Sequence, residues 1–564
     1  MATIDITWTS RKPRRLLVKC PRSENARVKR VGGGRFNKRD RGWTFSPDLG
    51  VYEDLTRALP GAYVDPDVHA WYERAKAHRQ ELEHIREGTP VTLTCKNQQY
   101  LYPFQRTGVG FLLKARRTIL GDDMGLGKTV EAIITAEEMR ANKVLIIAPN
   151  NLKHHWYDEI RKWAPDRRVL SLVGSTRKKR TEVLNQYVDG YFIIHYEAAR
   201  RGKQMKKVDG KKRMVLRDHD YIDELLKQDW DVVIVDEAHN IKNRKTQQSQ
   251  DVSRLAKKAP NAWFLTGTPI MNRVPEVWSL LHVINPDRYT SFWSFVKKYA
   301  NAHPGRFGWV IDDHASNPDA LREEIAPYFI RREKEEVFPD MPEKTRQKIW
   351  LEMGSKQARL HDQMWEELMA EISDQEILVA PIVLSKIMRC RQIAISPELV
   401  GSDAPSVKLE ALVEFVQSTD EKIVVFSQFA EAISLAAREL RAAGAGCTYF
   451  TGASSDEEQS EAISALNTDP ETQVLLTTLK AGGEGLDFTA ASVVILLDKH
   501  WTPATNKQAE DRVHRHGQTK PVTVIELIAL NSEADRLIED TNKHKKRLVD
   551  AVIERRDARA KSGR

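Results

Sequence analysis

The chain has 564 residues, 41% of them apolar and 30% charged, the proportions of an ordinary globular protein with length for about three or four domains. No apolar run approaches the roughly 18 residues of a membrane span, and the opening MATIDITWTSRKPRR lacks the apolar stretch of a secretory signal. Cys20, Cys95, Cys390 and Cys447 show no CxxC spacing, which fits reduced thiols and argues against a zinc site.

Charge is unevenly placed. Residues 1–50 carry 13 Lys/Arg against four acids, a surplus equal to the +9 of the whole chain. Two other runs are basic: RRGKQMKKVDGKKRMVLR (200–217) and the tail KHKKRLVDAVIERRDARAKSGR. A concentrated basic end points to a polyanion, most often nucleic acid. Within it, VKRVGGGRFNKRDRGWTFSPDLGVYEDLTRAL (28–59) reads as strand, glycine turn, strand and helix. Trp43 and Phe45 alternate onto one face, and Arg35, Lys38, Arg39 and Arg41 crowd the bend. Aromatic rings beside arginines suit base stacking and phosphate contact; the same rings also suit the core of a small β-α domain.

From about residue 95 to 270 short β-branched runs alternate with helical stretches. RTIL, KVLIIAP, RVLSLVG, YFIIHYE, DVVIVDEAH and AWFLTGTP read as strands, with KTVEAIITAEEMRAN and NLKHHWYDEIRKWA as helices between them. Such alternation predicts a parallel sheet covered on both faces. Residues 270–400 read as mostly helical. Alternation then resumes with KIVVFSQF, CTYFTG, QVLLTTL, SVVILLD and VTVIELIA, and Ser455-x-x-Glu458 is a capping-box signature.

The stretch GDDMGLGKT (121–129) follows a strand and opens a helix, as an anion-binding loop must. It departs from G-x-x-x-x-G-K-[ST] by carrying Asp122 at the first position. Gly125 and Gly127 let the backbone wrap phosphates, Lys128 can reach the β/γ oxygens, and Thr129 can hold Mg²⁺. WDVVIVDEAH ends a buried strand in Asp236, placed to hold the Mg²⁺ shell, and Glu237, placed to orient an attacking water. Together the two motifs predict a nucleoside-triphosphatase using ATP and Mg.

From about residue 97 to 545 the sequence resembles the Swi/Snf-type DNA translocases of helicase superfamily two. LYPFQRTGVGFL is similar to the adenine-recognition motif, which gives that role to Gln105. In this family an acid at the first loop position is usual. IIAPNNLKHHW, with Lys153, and IIHYE resemble segments touching the tracked DNA strand. LTGTP, with Thr266, Gly267 and Thr268, resembles the motif coupling hydrolysis to DNA contact. FIRREKEEV (329–337) resembles the segment that separates this family from strand-separating helicases. TTLKAGGEGLDFTAASVVILLD, with Lys480, and QAEDRVHRHGQ resemble the last two motifs. Arg512 and Arg515, three apart on an expected helix, are thereby implied to be arginine fingers entering the ATP cleft from the opposite lobe, with Gln508 on the same helix face helping to close it. Thr502 and Asp487 depart from asparagines usual in the family.

The fold expected is therefore α/β, with two RecA-like parallel-sheet lobes, a helical insertion between them and a small basic N-terminal α+β domain. The expected ranges are 1–70 for that domain, which resembles the HepA-related domain of annealing helicases, and 71–94 for a helical linker. Lobe one takes 95–270, helical insertions and a linker 271–405, lobe two 406–530, and a helical brace with a basic tail 531–564. The resemblance implies an ATP-driven translocase on double-stranded or forked DNA, with no membrane partner, acting in fork remodelling or annealing. It implies a cytoplasmic, DNA-associated setting in a bacterial or viral source, or the nucleus of a eukaryote. Two other readings are an RNA-dependent helicase, because DEAH also marks that class, and a DNA-binding scaffold with a silent ATPase.

Overall fold

A computed structural model gives the fold and describes the chain except for residues 1–3, 11–13, 32, 173–175, 209–210, 217–219, 268–273, 306–307, 313–314, 375–379, 483–485 and 550–564. Two compact units are present, Met1–Asp122 with Gly127–Arg332, and Asp123–Leu126 with Glu333–Asp550.

The first unit begins with a five-stranded sheet in the order Arg35–Asn37, Gly42–Phe45, Leu16–Lys19, Asp5–Trp8, Tyr63–Val64. All its pairings are antiparallel except the last. Ile6, Leu16, Val18, Val28, Phe45, Leu55 and Val68 form its buried core. The expected strand at VKRV is instead the end of a helix, Asn25–Val31. Val28 and Val31 stand three apart and both pack on the core, which is a helical spacing. The hairpin comes after the glycines, with Lys38–Arg41 as its turn.

This small domain is joined to the larger sheet by the helix Pro66–Arg86, whose Leu82 and Ile85 enter the core of that sheet and whose Glu81 pairs with Lys114 at 2.6 Å. Ser46 Oγ donates to the carbonyl of Asp287 at 2.5 Å. Asp48 caps the helix Leu49–Ala58 and pairs with Arg288, which also holds Glu324.

The larger sheet of the first unit has seven strands in the order Phe329–Ile330, Arg117–Leu120, Asn261–Leu265, Val232–Asp236, Lys143–Ala148, Gly190–His195, Val169–Ser171, and every pairing is parallel. The central strands are buried along their length, as apolar runs covered on both faces must be. The second unit has a six-stranded parallel sheet in the order Lys344–Leu351, Val522–Ala529, Val493–Leu496, Ile423–Ser427, Val474–Thr478, Cys447–Phe450. Ser455 and Glu458 form the expected reciprocal cap, with bonds of 2.7 and 3.2 Å.

The stretch 270–400 departs from its helical reading at three places, the first a short antiparallel pair of His303–Gly305 with Gly308–Val310. Phe329–Ile330 adds an edge strand to the first sheet, and Lys344–Leu351 adds one to the second. Among the described residues no helix is long and apolar enough to cross a membrane.

Candidate nucleotide site and nucleic-acid surfaces

The phosphate-type loop links the strand Arg117–Leu120 to the helix Lys128–Glu138. Gly125 and Gly127 have φ of +85° and +83°, a left-handed backbone that glycine adopts without steric cost. A Cβ on Gly127 would lie 2.4 Å from Nε2 of Gln105, so the buried Gln105 amide packs directly on the loop. Gln105 Oε1 in turn accepts from the Tyr102 N–H at 3.1 Å. The rings of Tyr102 and Phe104 stack beside it, 5.8 Å between centroids. Lys128 Nζ donates to the carbonyl of Asp122 at 2.7 Å, and Thr129 is half-buried at the start of the helix.

Asp122 is fully buried. Its carboxylate accepts from Arg332 through the backbone N–H at 2.9 Å, Nε at 3.0 Å and the guanidinium terminus. The same guanidinium donates to both oxygens of buried Glu131, at 3.0 and 2.8 Å, and to the carbonyl of Phe104. Burial pushes the Glu131 carboxyl well up, against the lowering by Arg332. Gly108 makes room for this cluster, since a Cβ there would fall 1.6 Å from Glu131 Oε2. Arg331, its neighbour, donates to the carbonyls of Gly121 and Gly267 at 3.3 and 3.1 Å, tying the phosphate-type loop to the LTGTP segment.

Asp236 ends its strand with Oδ2 accepting from Trp156 Nε1 at 2.8 Å and Oδ1 from the Glu237 N–H at 2.8 Å. Burial first, and the neighbouring Glu237 charge second, raise its carboxyl to about 7. Glu237 sits at φ +46°, a strained conformation for a residue with a side chain. Its carboxylate meets His239 Nδ1 at 3.2 Å, and His239 Nδ1 lies 3.5 Å from Thr266 Oγ1. Two adjacent buried acids, one raised in pKa by burial and by the other's charge, are the environment a divalent cation relieves. With Thr129, Asp236 supplies oxygen donors of the kind Mg²⁺ takes.

The structure thus gathers Gln105, Gly125, Gly127, Lys128 and Thr129 on one loop and its flanking helices, and Asp236, Glu237, Thr266 and Gly267 on the ends of adjacent parallel strands. Thr268 lies outside the described residues. Asp122, Glu131, Trp156, Arg331 and Arg332 had no individual role in the sequence reading. For all but Trp156, which bonds Asp236 from the helix Lys153–Trp163, the signal was the FIRRE segment, whose Arg331 and Arg332 reach Gly121, Asp122 and Glu131 some 200 residues earlier.

In the second unit Gln508 is buried on the helix Pro503–Glu510. That helix stops before the arginines, which corrects the expectation that all three share a helix face. Arg512 is buried in the following turn, its carbonyl accepting from the Phe488 N–H at 3.0 Å. Arg515 donates to the Leu486 carbonyl at 3.3 Å and lies 3.7 Å from the Asp487 carboxylate. Asp487 is thus charge-paired, and Thr502 is buried at the N-cap of Pro503–Glu510.

Of the expected DNA-contacting residues, Arg35, Lys38, Arg39 and Arg41 are exposed on the hairpin, Lys480 is exposed after the strand Val474–Thr478, and Lys153 opens the helix Lys153–Trp163. Trp43 is half-buried on the small core, its Nε1 donating to Asn25 Oδ1 at 2.8 Å. Its ring meets exposed Phe36 edge-on at 5.6 Å, with Lys29 Nζ 5.7 Å from its centroid.

Two successive α/β units whose largest sheets are wholly parallel, the first carrying a glycine-turned anion loop and a buried acid pair at adjoining strand ends, define the class of tandem RecA-like proteins. The SNF2-related domain family matches residues 104–399, more than half of the chain, and the helicase conserved C-terminal domain family matches 407–517. The chain belongs to the SNF2-related family. The DNA annealing helicase and endonuclease ZRANB3 of Homo sapiens is 29% identical over 470 residues, covering 81% of this chain and 40% of that protein. The putative ATP-dependent helicase/translocase YwqA of Bacillus subtilis is 30% identical over 477 residues, 80% of this chain and 49% of that protein. The chain spans less than half the length of these relatives. A SWI2/SNF2 ATPase core of Sulfolobus solfataricus solved with double-stranded DNA aligns over 82% of this chain and 98% of that one. Its TM-score of 0.38 at 24% identity is too loose to add to the family match.

Proposed function

We propose that the chain is an ATP-driven translocase on double-stranded DNA, acting on forked or annealing substrates. The observation that carries this reading is the joining of the phosphate-type loop to the LTGTP segment through Arg331, within one parallel sheet that also presents Asp236 and Glu237. Family membership and the helicase and translocase activities for which ZRANB3 and YwqA are named support it.

In this reading Gln105 selects adenine, while Gly125, Gly127 and Lys128 hold the phosphates. Thr129 and Asp236 would hold Mg²⁺, which when bound supplies neutralising charge to the phosphate oxygens. Glu237 orients and deprotonates the attacking water. Arg512 and Arg515, with Gln508 beside them, steady charge on the transferring phosphoryl group. Thr266, Gly267 and Thr268 pass the change to Lys153 and Lys480 on DNA. Arg35, Lys38, Arg39, Arg41 and Trp43 add a contact on forked DNA. The setting is the DNA-associated cytoplasm of a bacterium or virus, or the eukaryotic nucleus.

ATP turnover with no nucleic acid, single strands, blunt duplex, forks and RNA tests the reading. Duplex stimulation is expected. Stimulation by RNA alone would transfer the chain to the RNA helicases, and silence with every substrate would leave a scaffold.

A further inference from the structure

A second concave site lies in the small N-terminal domain, away from the phosphate-type loop. It is a cavity of about 440 Å³ lined by Trp8, Arg14, Pro47, Asp67, Trp71 and Arg74, within the size range of small-ligand pockets. Trp8 ends the strand Asp5–Trp8. Asp67, Trp71 and Arg74 stand four and three apart on the helix Pro66–Arg86, hence on one face.

The indoles of Trp8 and Trp71 meet edge to face, 5.5 Å between centroids and 82° between planes. Tyr52 braces Trp71 from another side, at 6.5 Å and 71°. Both rings are half-buried and pack on the small domain's core, and both also line the cavity, so the T-shaped pair is an aromatic wall to it. Arg14 and Arg74 are exposed, and among the described residues neither makes an ion pair or hydrogen bond. The exposed Asp67 carboxylate is the remaining charge, a hydrogen-bond acceptor at the rim.

The pocket is separate from the basic hairpin turn. Trp8 pairs with Leu16 and Leu16 with Phe45, whereas the turn Lys38–Arg41 follows the pair Asn37 and Gly42 at the other end of the strands. Three strand residues separate the two rows, roughly 10 Å.

We propose that the Trp8–Trp71 pocket takes one unpaired nucleotide of single-stranded DNA, its base stacked on an indole, its flanking phosphates on Arg14 and Arg74. Asp67 accepts from a base N–H. Flat apolar walls with two guanidiniums that have no partner among the described residues suit a base and its phosphates. A base within a duplex cannot enter, because its faces are already stacked. The pocket therefore makes the N-terminal domain a reader of single-stranded tails beside a duplex. The choice of DNA rests on the translocase reading above.

The test uses the full chain and three labelled probes: a blunt duplex, the same duplex with a six-nucleotide single-stranded tail, and that duplex with an abasic tail. Wild type is expected to bind the tailed duplex between about five- and a hundred-fold more tightly than the abasic one, the range for stacking of one base. Arg14→Glu with Arg74→Glu should remove that preference while leaving blunt-duplex affinity and blunt-duplex-stimulated ATP turnover at wild-type levels. Retention of turnover keeps a failure of the pocket distinct from a failure of the translocase reading. A tail carrying 5-iodouracil should photocrosslink to Trp8 or Trp71, a readout that needs no variant. Equal affinity for tailed and abasic probes, or crosslinks confined to other residues, would overturn the proposal and leave the pocket to a ligand of another class. Tighter binding of an RNA tail than a DNA tail would overturn the choice of DNA.

Discussion

Asp122 and Arg332 form a buried ion pair, with three donors of one residue on the carboxylate of the other. The loop position where a glycine is usual in phosphate loops is thus occupied by an acid for a physical reason. Asp122 needs no left-handed backbone, and its carboxylate fixes the loop to the segment 210 residues later that also holds Glu131. Removing Asp122 leaves Glu131 to compensate the Arg332 charge, but it takes away the acceptor of three buried donors, and an unmade buried hydrogen bond costs more than a made one contributes.

Asp122→Gly, which restores the usual loop glycine, is therefore expected to destabilise the first unit by about 1–3 kcal/mol and to lower ATP affinity. Denaturant unfolding followed through tryptophan fluorescence checks it. Wild-type stability in this variant would show that the pair does not hold the loop.

Gly108→Ala places a methyl where the Glu131 carboxylate sits. Displacing that carboxylate from Arg332 should lower stability by about 1–3 kcal/mol, the usual cost of overpacking, and reduce turnover with it. Full activity with unchanged melting would mean that the helix Pro103–Ala115 shifts freely, contrary to this packing.

The Glu324 carboxyl gives a pH signature. Burial pushes its pKa up, but the hydrogen bonds and charge of Arg288, with the Tyr289 hydroxyl, outweigh burial and hold it at about 2 against an ordinary 4.5. A folded-state pKa below the unfolded one stabilises the fold above pH 4.5, and that stabilisation disappears as pH falls toward 2. Glu324→Gln should lower protection of the helix Phe292–Tyr299 at pH 7 and flatten its decline between pH 4.5 and 2. Hydrogen exchange read by mass spectrometry at several pH values would reveal an unchanged decline, and so refute the pairing.

Much of this was legible in sequence, for a reason visible in particular strands. KVLIIA, VVIVD and IVVFS are parallel strands buried on both faces, so each is a continuous apolar run between turn signals. KTRQKIWL is an edge strand, mostly exposed, and its charge hides it among helices. The phosphate-type loop and the Asp-Glu strand end are local patterns and could be read directly. The Asp122–Arg332 pair could not, because it depends on Phe329–Ile330 adding to the sheet beside Arg117–Leu120. The helix through QAEDRVHRHGQ stops early under tertiary contacts. Asp511 is buried against Lys334 at 3.0 Å, the Arg512 carbonyl takes the Phe488 N–H, and His514 Nε2 lies 2.8 Å from the Pro342 carbonyl.

Arg515→Ala should lower the maximal turnover by about 10³-fold or more while ATP binding changes little. Single-turnover kinetics separate the two. A tenfold loss or less would remove Arg515 from the phosphoryl-transfer step.

The most direct test of the central claim is ATP turnover of wild type, Lys128→Ala and Glu237→Gln on blunt duplex DNA. The account predicts duplex-stimulated hydrolysis by wild type and none above background by either variant, with Glu237→Gln still binding ATP. Near-wild-type turnover in either variant would contradict the assignment of this site.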